Sequence, residues 1–443
     1  MIVSRKKYLL LALLCAAILS TLGFKHWSET SIAQAGLVEV ANGDAQFWLM
    51  QGAPNNRFNP CTVYYHFDTP LNESVVRARL KDLVESYALF HRNVVEVKGL
   101  PYWQPANVDW TQNFRVLDAN EDIESVRAQA DFKISQASAL GAGLPLFRAY
   151  LTADRRQLIF IWHHVLSDFE GMFNKHAKHL FTEKAQRTQF GYQTDNKPGS
   201  ESQPSTPPLN IWASLKNTDK PLGFSATNFE VTKIVLPVKD KILYTLGQQA
   251  GLPMSDIFSF ITLRAVTRYE ESSGQDRLAI INPIVTPISL RKNSLAMDEG
   301  NNRAVRQFPF IFPLESVLDM YQRVINLSPT SSSYETAGRL MKIARQFSFM
   351  EPALRRIAMP DHISNYFPLA DNPLGIGEAT LVSHYLRVPM VPFERSKFAW
   401  SNYNGQVQLY LHTDPVLIDK ERLIASFEQA SSEVLGFLES PTP

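Results

Sequence analysis

Two adjacent histidines followed by an acid are the residues whose types and spacing best suit catalysis in this sequence. His163 and His164 follow the apolar stretch 158–162, Asp168 comes four residues after His164, and Gly171 follows. An imidazole titrates near neutral pH, so a positioned histidine can take a proton from an attacking hydroxyl or amine. An aspartate close by can orient a ring, or can anchor the loop by pairing with an arginine.

Two other interpretations of the histidine pair remain open. In the first, both side chains are hydrogen-bonded polar groups at a strand end and take no part in chemistry. The second is a metal site, formed by His163, His164, Asp168, His176 and His179. Adjacent side chains on a strand point to opposite faces, so neighbouring histidines rarely bind one ion together. We expect His176 and His179 on the polar face of the following helix, and the sequence therefore favours no metal.

The flanking elements would place this motif at the end of a buried strand. Segments 144–151 and 158–162 are rich in apolar residues and predict two strands joined by a polar turn. A helix is expected after Gly171. Upstream, β-branched and aromatic residues at 62–67 predict another strand, and residues 73–91 show apolar positions at helical spacing.

A change in composition divides the chain. Residues 188–208 contain four prolines with Gly, Ser, Gln and Asn, which predicts a linker. Beyond it, strands and helices alternate again, and Asn404-Gly405 between two apolar segments predicts a hairpin. The pattern predicts a mixed α/β fold in both halves. The expected units are an N-terminal segment at 1–34, a first subdomain at 35–187, a linker at 188–222 and a second subdomain at 223–443.

Composition excludes several classes of protein. The chain has 443 residues, of which 45% are hydrophobic, enough for two or three compact units. Its 44 basic and 43 acidic residues give a net charge of +1, which argues against nucleic acid as a partner. Cys15 lies in the first apolar run, so Cys61 is alone in the folded part. A disulfide framework and a zinc site built on several thiolates are therefore excluded.

The N-terminus has the layout of a signal or anchor. Arg5–Lys7 precede an apolar run at residues 8–24, at the short limit for a membrane span. An uncleaved anchor is favoured over cleavage after Ala35, because a polar stretch precedes that site. The basic residues should stay in the cytoplasm. The expected protein is membrane-anchored with an exported globular part, the alternative being a buried helix of a cytosolic protein.

The histidine motif resembles the His-His-x-x-x-Asp-Gly pattern of the condensation-domain and acyltransferase superfamily, which has the chloramphenicol-acetyltransferase-like fold. Other segments resemble that family in the same order, from about residue 45 to 436. One departure is Phe169, which stands where the family has glycine, with Gly171 two residues later. The supporting segments are His91-Arg92, Pro145–Arg148, Thr286–Arg291, Gly300-Asn301, Ser364-Asn365 and the terminal hairpin and helix.

This resemblance implies a fold and a set of roles. The fold would be two chloramphenicol-acetyltransferase-like subdomains, each a mixed sheet with flanking helices, around a central tunnel. His164 would be the general base and His163 a structural residue with its ring turned inward. Asp168 would hold the loop by pairing with an arginine, for which Arg291 is the candidate. The remaining positions are Ser364 and Asn365 near the acyl channel, Phe169 narrowing that channel, and Gly171 in a structural role.

Two functions follow. The first is an acyltransferase that moves an acyl group from acyl-CoA, a carrier-bound thioester or an acyl lipid to a hydroxyl or amine, in lipid or secondary-metabolite synthesis. It would be a monomer with no bound cofactor, and it would need no acyl-enzyme, since the base activates the acceptor directly. The second is a catalytically inactive binding or assembly module, which Phe169 favours and the intact His163, His164 and Asp168 oppose.

Overall fold

Strands and helices alternate along the chain. The computed structural model describes residues 36–49, 60–186, 229–273, 284–289, 303–308, 314–326, 339, 341–343, 361–390 and 394–440. The strands are β1 Val38–Glu39, β2 Pro60–Phe67, β3 Arg92–Val97, β4 Leu100–Pro105, β5 Phe114–Val116, β6 Phe147–Leu151, β7 Gln157–His163, β8 Glu230–Lys239, β9 Ile284–Ser289, β10 Arg303–Phe308, β11 His362–Tyr366, β12 Gly375–Ile376, β13 Ala379–Arg387, β14 Ser396–Tyr403 and β15 Gln406–Thr413. The helices are α1 Asn42–Leu49, α2 Glu73–Glu85, α3 Trp110–Asn113, α4 Ile123–Ile134, α5 Phe169–Lys175, α6 Asp240–Ala250, α7 Met254–Ser272, α8 Val317–Asn326 and α9 Lys420–Glu439.

The first large sheet combines strands from both halves of the sequence. Its order is β12-β13-β2-β7-β6-β5. Strand β13 comes from the second half and pairs antiparallel with β2 of the first, so that Tyr385 lies opposite Tyr64. The chain therefore leaves the second sheet after β11, adds two strands to the first sheet, and returns as β14. The expected boundary at 188–222 stays a prediction, but it does not separate the strands of the two sheets.

The second large sheet packs on both of its faces. Its order is β10-β9-β11-β14-β15-β8. On one face, Phe398 and Trp400 of β14 join the core formed with α7 and α9. On the other, Ala399 and Tyr403 belong to the core that contains β2, β7 and α5. Alternate residues of β14 therefore contribute to two different cores. The core shared with β2, β7 and α5 links the two halves of the molecule.

Local sequence signals explain where several elements begin and end. Asn72, Asp122 and Asp419 cap the helices α2, α4 and α9, each accepting a backbone N–H with its side chain. The hairpin between β14 and β15 turns at Asn404 (φ 48°) and Gly405 (φ 78°). Both values are left-handed, as the predicted two-residue turn requires.

The structure confirms the mixed α/β fold. A small third sheet, in the order β1-β4-β3, lies beside the first sheet. It matters because α1 follows directly after β1.

The structure contradicts the expected membrane-anchored localisation. Among the described residues, no helix is long and apolar enough to span a membrane. The longest, α7 and α9, each carry several charged side chains. The apolar run at 8–24 lies outside the described residues.

Candidate functional site

The histidine pair stands at the end of β7, inside the first sheet. His163 is the last residue of the strand and is fully buried. Its Nδ1 accepts a hydrogen bond from the backbone N–H of Val165 at 3.1 Å, which places the proton of a neutral ring on Nε2. The backbone N–H of His163 donates to the carbonyl of Leu146 at 2.9 Å. His163 thus ties the strand end to the loop that follows it.

His164 differs in exposure from its neighbours in the sequence. Every residue from 158 to 177 is buried except His164, which is partly exposed. The side chains of His163 and His164 leave the strand end in different directions, as expected for adjacent residues of a strand. The one imidazole that solvent or a small molecule can reach here is therefore that of the second histidine.

Asp168 closes the loop by capping a helix. It is the N-cap of α5, with extended backbone angles, and its Oδ1 accepts the backbone N–H of Gly171 at 2.7 Å. The indole N–H of Trp162 donates to the carbonyl of Ser167 at 2.9 Å, a second hydrogen bond that fixes the loop. Gly171 therefore has a structural contact with Asp168. Arg291, the expected ionic partner of Asp168, lies outside the described residues.

Phe169 is a core residue at the junction of the two halves. It is the first residue of α5 and is fully buried. Its ring packs against those of Trp162 (centroids 4.8 Å apart), Phe173 (5.9 Å) and Phe367 (4.9 Å). Because Phe367 belongs to the second half, this cluster fixes the motif at the interface of the halves. A helical residue needs no left-handed backbone, so phenylalanine fits where the family has glycine.

Two aromatic residues of α1 lie against the two histidines, and sequence reasoning missed both. The ring of Phe47 stacks on the imidazole of His164, with centroids 3.9 Å apart and planes 5° apart. Trp48 lies against His163 with centroids 4.7 Å apart. The only sequence signal was an aromatic pair in a short segment before β2. Nothing in its spacing connects it to histidines more than 100 residues later.

Cys61 lies beside the motif but does not suit nucleophilic chemistry. It pairs across the sheet with Trp162 and is fully buried. Burial raises the pKa of its thiol well above the usual value, and the charge of Asp168 raises it further against the opposing effect of Lys397. The thiol is therefore protonated at neutral pH. Lys397 comes from β14, which again places the second half next to the motif.

His176 and His179 are not on a polar helix face, as the sequence had suggested. Both are buried in a π-helical turn, 176–180, that continues α5. His176 Nδ1 is hydrogen-bonded to the hydroxyl of Tyr65 at 2.8 Å, and burial lowers the pKa of His176 to about 3. His179 Nδ1 lies 2.7 Å from a carboxylate oxygen of Asp82. These contacts with Tyr65 and Asp82 explain why the two histidine side chains lie in the protein interior.

Ser364 and Asn365 occupy opposite faces of β11. The hydroxyl of Ser364 contacts that of Thr262 at 3.1 Å, within the core around α7. Asn365 is 8% exposed, and its cross-strand partner Ala399 belongs to the core that holds the motif. The Oδ1 atom of Asn365 has no hydrogen-bond partner among the described residues. Of the two, Asn365 faces the junction, whereas Ser364 faces away from it.

The remaining possibility for this site is a bound metal ion. Among the described residues, no group of three or more His, Cys, Asp or Glu side chains is arranged to hold a metal ion. The roles expected for His164, Asp168, Phe169 and Asn365 stay predictions.

Comparison with solved structures identifies the fold. A double mutant of the starter condensation domain of rhizomide synthetase RzmA, in complex with C8-CoA and Leu-SNAC, matches with a TM-score of 0.57 at 13% identity, covering 93% of this chain and 96% of that one. The first condensation domain of the CDA synthetase matches with a TM-score of 0.57 at 13% identity, over 92% and 97% of the two chains. The wax ester synthase/diacylglycerol acyltransferase of Marinobacter aquaeolei VT8 gives 0.49 at 17% identity, over 91% and 100%. Neither a protein-family model nor a curated protein sequence matches the chain.

Proposed function

We propose that this chain is an acyltransferase in which His164 acts as general base. The chain has the fold of condensation domains, the two-subdomain, chloramphenicol-acetyltransferase-like fold that the sequence predicted. The observation that carries the proposal is the exposure of His164 alone within the buried stretch 158–177. A base must reach its substrate, and this imidazole lies where both halves of the molecule meet.

The proposed reaction needs no covalent intermediate on the protein. A ring nitrogen of His164 takes the proton of the acceptor hydroxyl or amine as the acceptor attacks the acyl carbonyl carbon. The carbon–sulfur bond of a thioester donor then breaks, and the leaving thiolate takes the proton back from the imidazolium. Proton and charge balance within one cycle, so neither a metal nor a redox partner enters the scheme.

The proposed substrates are an acyl thioester or ester and an acceptor with a hydroxyl or an amine. The complex of the RzmA domain with C8-CoA and Leu-SNAC supports C8-CoA as the first donor and Leu-SNAC as the first amine acceptor to test. Octanol serves as a hydroxyl acceptor. Asn365, whose amide faces the junction, is proposed to contact one of the two substrates. A single chain supplies both halves of the site, in keeping with a monomer.

The test is a transfer assay on the purified chain with C8-CoA and either acceptor, following thiol release and acylated product by mass spectrometry. His164→Ala should lower turnover by about 10²–10⁴-fold, the usual contribution of general-base catalysis. It should leave C8-CoA binding and the melting temperature unchanged. His66→Ala, which removes an exposed histidine of β2, is the matched control and should transfer normally. Donor binding without any product from the wild-type chain would instead support the non-catalytic binding module.

A further inference from the structure

We propose that Phe47 is a positioning residue that fixes the imidazole ring of His164, an inference that rests on the proposed function for its catalytic consequence. The two rings are parallel to within 5° and their centroids are 3.9 Å apart. Both residues are partly exposed, while their neighbours on α1 and β7 are buried. The stack therefore stands at the edge of the accessible space, where a substrate would meet the base.

The helix that carries Phe47 is fixed within the first half. The indole N–H of Trp48 donates to Glu96 Oε1 at 2.8 Å, and the Trp48 side chain is fully buried. The backbone N–H of Val40 donates to the carbonyl of Pro101 at 3.1 Å, and β1 pairs with β4. Phe47 is thus presented to His164 by a helix that is anchored on both sides of it.

The second half holds the same segment. Lys342 Nζ donates to Glu39 Oε1 at 2.6 Å and to the carbonyl of Val40 at 2.8 Å. The neighbouring Met341 is buried in the core that contains α1 and the motif. Because contacts from both halves converge on the residues just before α1, the position of Phe47 depends on how the halves are docked.

Stacking has a definite consequence for a base. An aromatic neighbour lying flat on an imidazole limits rotation about the terminal side-chain torsion, which is otherwise broad. It covers one face of the His164 ring, whose Nδ1 atom is itself buried. Because small errors in the placement of a catalytic group are costly, we expect the loss of the stack to lower turnover more than substrate affinity.

The kinetic test compares substitutions at one position. Phe47→Leu should lower kcat by about 10- to 100-fold with little change in KM. Phe47→Tyr and Phe47→Trp keep a flat ring and should retain most of the wild-type kcat. Phe132→Leu makes the same change at a side chain of α4 that is 48% exposed and should have no effect. Equal losses in the Leu, Tyr and Trp variants would mean that the position only fills space, and would overturn the proposal.

A spectroscopic test is independent of any substrate. In the full chain labelled at the histidine ring carbons, the His164 signals are assigned as those that disappear in His164→Gln. Stacking on Phe47 should move the ring protons of His164 upfield, and Phe47→Leu should remove that shift and broaden the signals as the ring gains freedom. Unchanged His164 signals in Phe47→Leu would overturn the proposal even if the chain proves to have no transferase activity. A lost shift with no fall in kcat would overturn it for an active enzyme.

Discussion

Two histidines lie near strand ends, one in each half of the molecule, and their side-chain contacts differ. His362 begins β11 and lies between Ser396 and Glu270, with its Nδ1 2.7 Å from the Ser396 hydroxyl and its Nε2 3.3 Å from Glu270 Oε1. Serine, histidine and carboxylate are the residue types of a catalytic triad, although here serine meets Nδ1 and the carboxylate meets Nε2, the reverse of the serine-protease arrangement. The ring of His164, in the first half, stacks on that of Phe47.

The exposure of the side chains argues against a catalytic role for His362, because a substrate could not reach it. His362, Ser396 and Glu270 are 1%, 0% and 2% exposed, and Arg395 forms an ion pair with Glu270 from within the same core. Burial is also the main reason why the pKa of His362 is lowered. We refer to these four residues as the His362 cluster. Hydrogen-bond geometry alone does not identify a catalytic histidine, because a buried network in the same order stabilises the second half.

The largest effect on stability is expected from breaking the His362 cluster. Glu270→Ala leaves Arg395 buried without its carboxylate, which typically costs about 3–5 kcal/mol. Urea denaturation should show a loss of this size, while the folded variant should still transfer acyl groups. Glu428→Ala, at an exposed position of α9, is the control. A loss under about 1 kcal/mol would mean that the cluster is not a structural unit.

Acid should distinguish buried histidines from exposed ones. Burial lowers the pKa values of His176, His384 and His412 to about 3, below the value of about 6.5 in an unfolded chain. As pH falls below 6.5 the unfolded state takes up these protons first, so stability is complete above that pH and is lost toward pH 3. Each group contributes about 1.2 kcal/mol of this loss between pH 7 and 5.5.

Single substitutions isolate this effect from other titrating groups. Burial raises the pKa of Asp131 to about 7, which changes stability in the opposite direction over the same range. His412→Gln should therefore be compared with the wild type and with His66→Gln, an exposed control. His412→Gln should reduce the loss of unfolding free energy between pH 7 and 5.5, whereas His66→Gln should not. Equal slopes in both variants would contradict the assignment of His412 as a buried neutral group.

A further effect on stability, of similar size, concerns how the loop of the motif is held. Asp168→Ala removes the cap of α5 and should cost about 0.5–2 kcal/mol. Asp168→Asn keeps an acceptor for the Gly171 N–H and should restore most of the lost stability. If the asparagine variant is as unstable as the alanine variant, the charge of Asp168 matters more than its cap, as the predicted pairing with Arg291 would require.

Much of the fold was predictable because its signals are local. The hydrophobic pattern indicated β2, β6 and β7, and the observed elements differ from the expected bounds by a few residues. The Asn404-Gly405 turn was predicted correctly from residue types alone. Strand β13 was missed because only a long-range pairing, with β2 more than 300 residues earlier, determines its place in the first sheet.

The site was predictable only in part. The motif and its position at a strand end could be recognised, because His163, His164 and Asp168 are close in sequence. The stack with Phe47 and the His362 cluster could not, because each joins segments that no spacing rule connects. Phe169 was interpreted as a departure from the family, yet its ring has an ordinary place in an aromatic core across the two halves.

The most direct test compares the two histidine sites in one assay. Octanoyl transfer from C8-CoA to Leu-SNAC would be measured for His164→Ala and Ser396→Ala under identical conditions, with melting temperatures as the check on folding. We predict that His164→Ala loses about 10²–10⁴-fold in turnover while Ser396→Ala stays close to the wild-type rate. Full activity in His164→Ala together with its loss in a folded Ser396→Ala would contradict the assignment of His164 as the base.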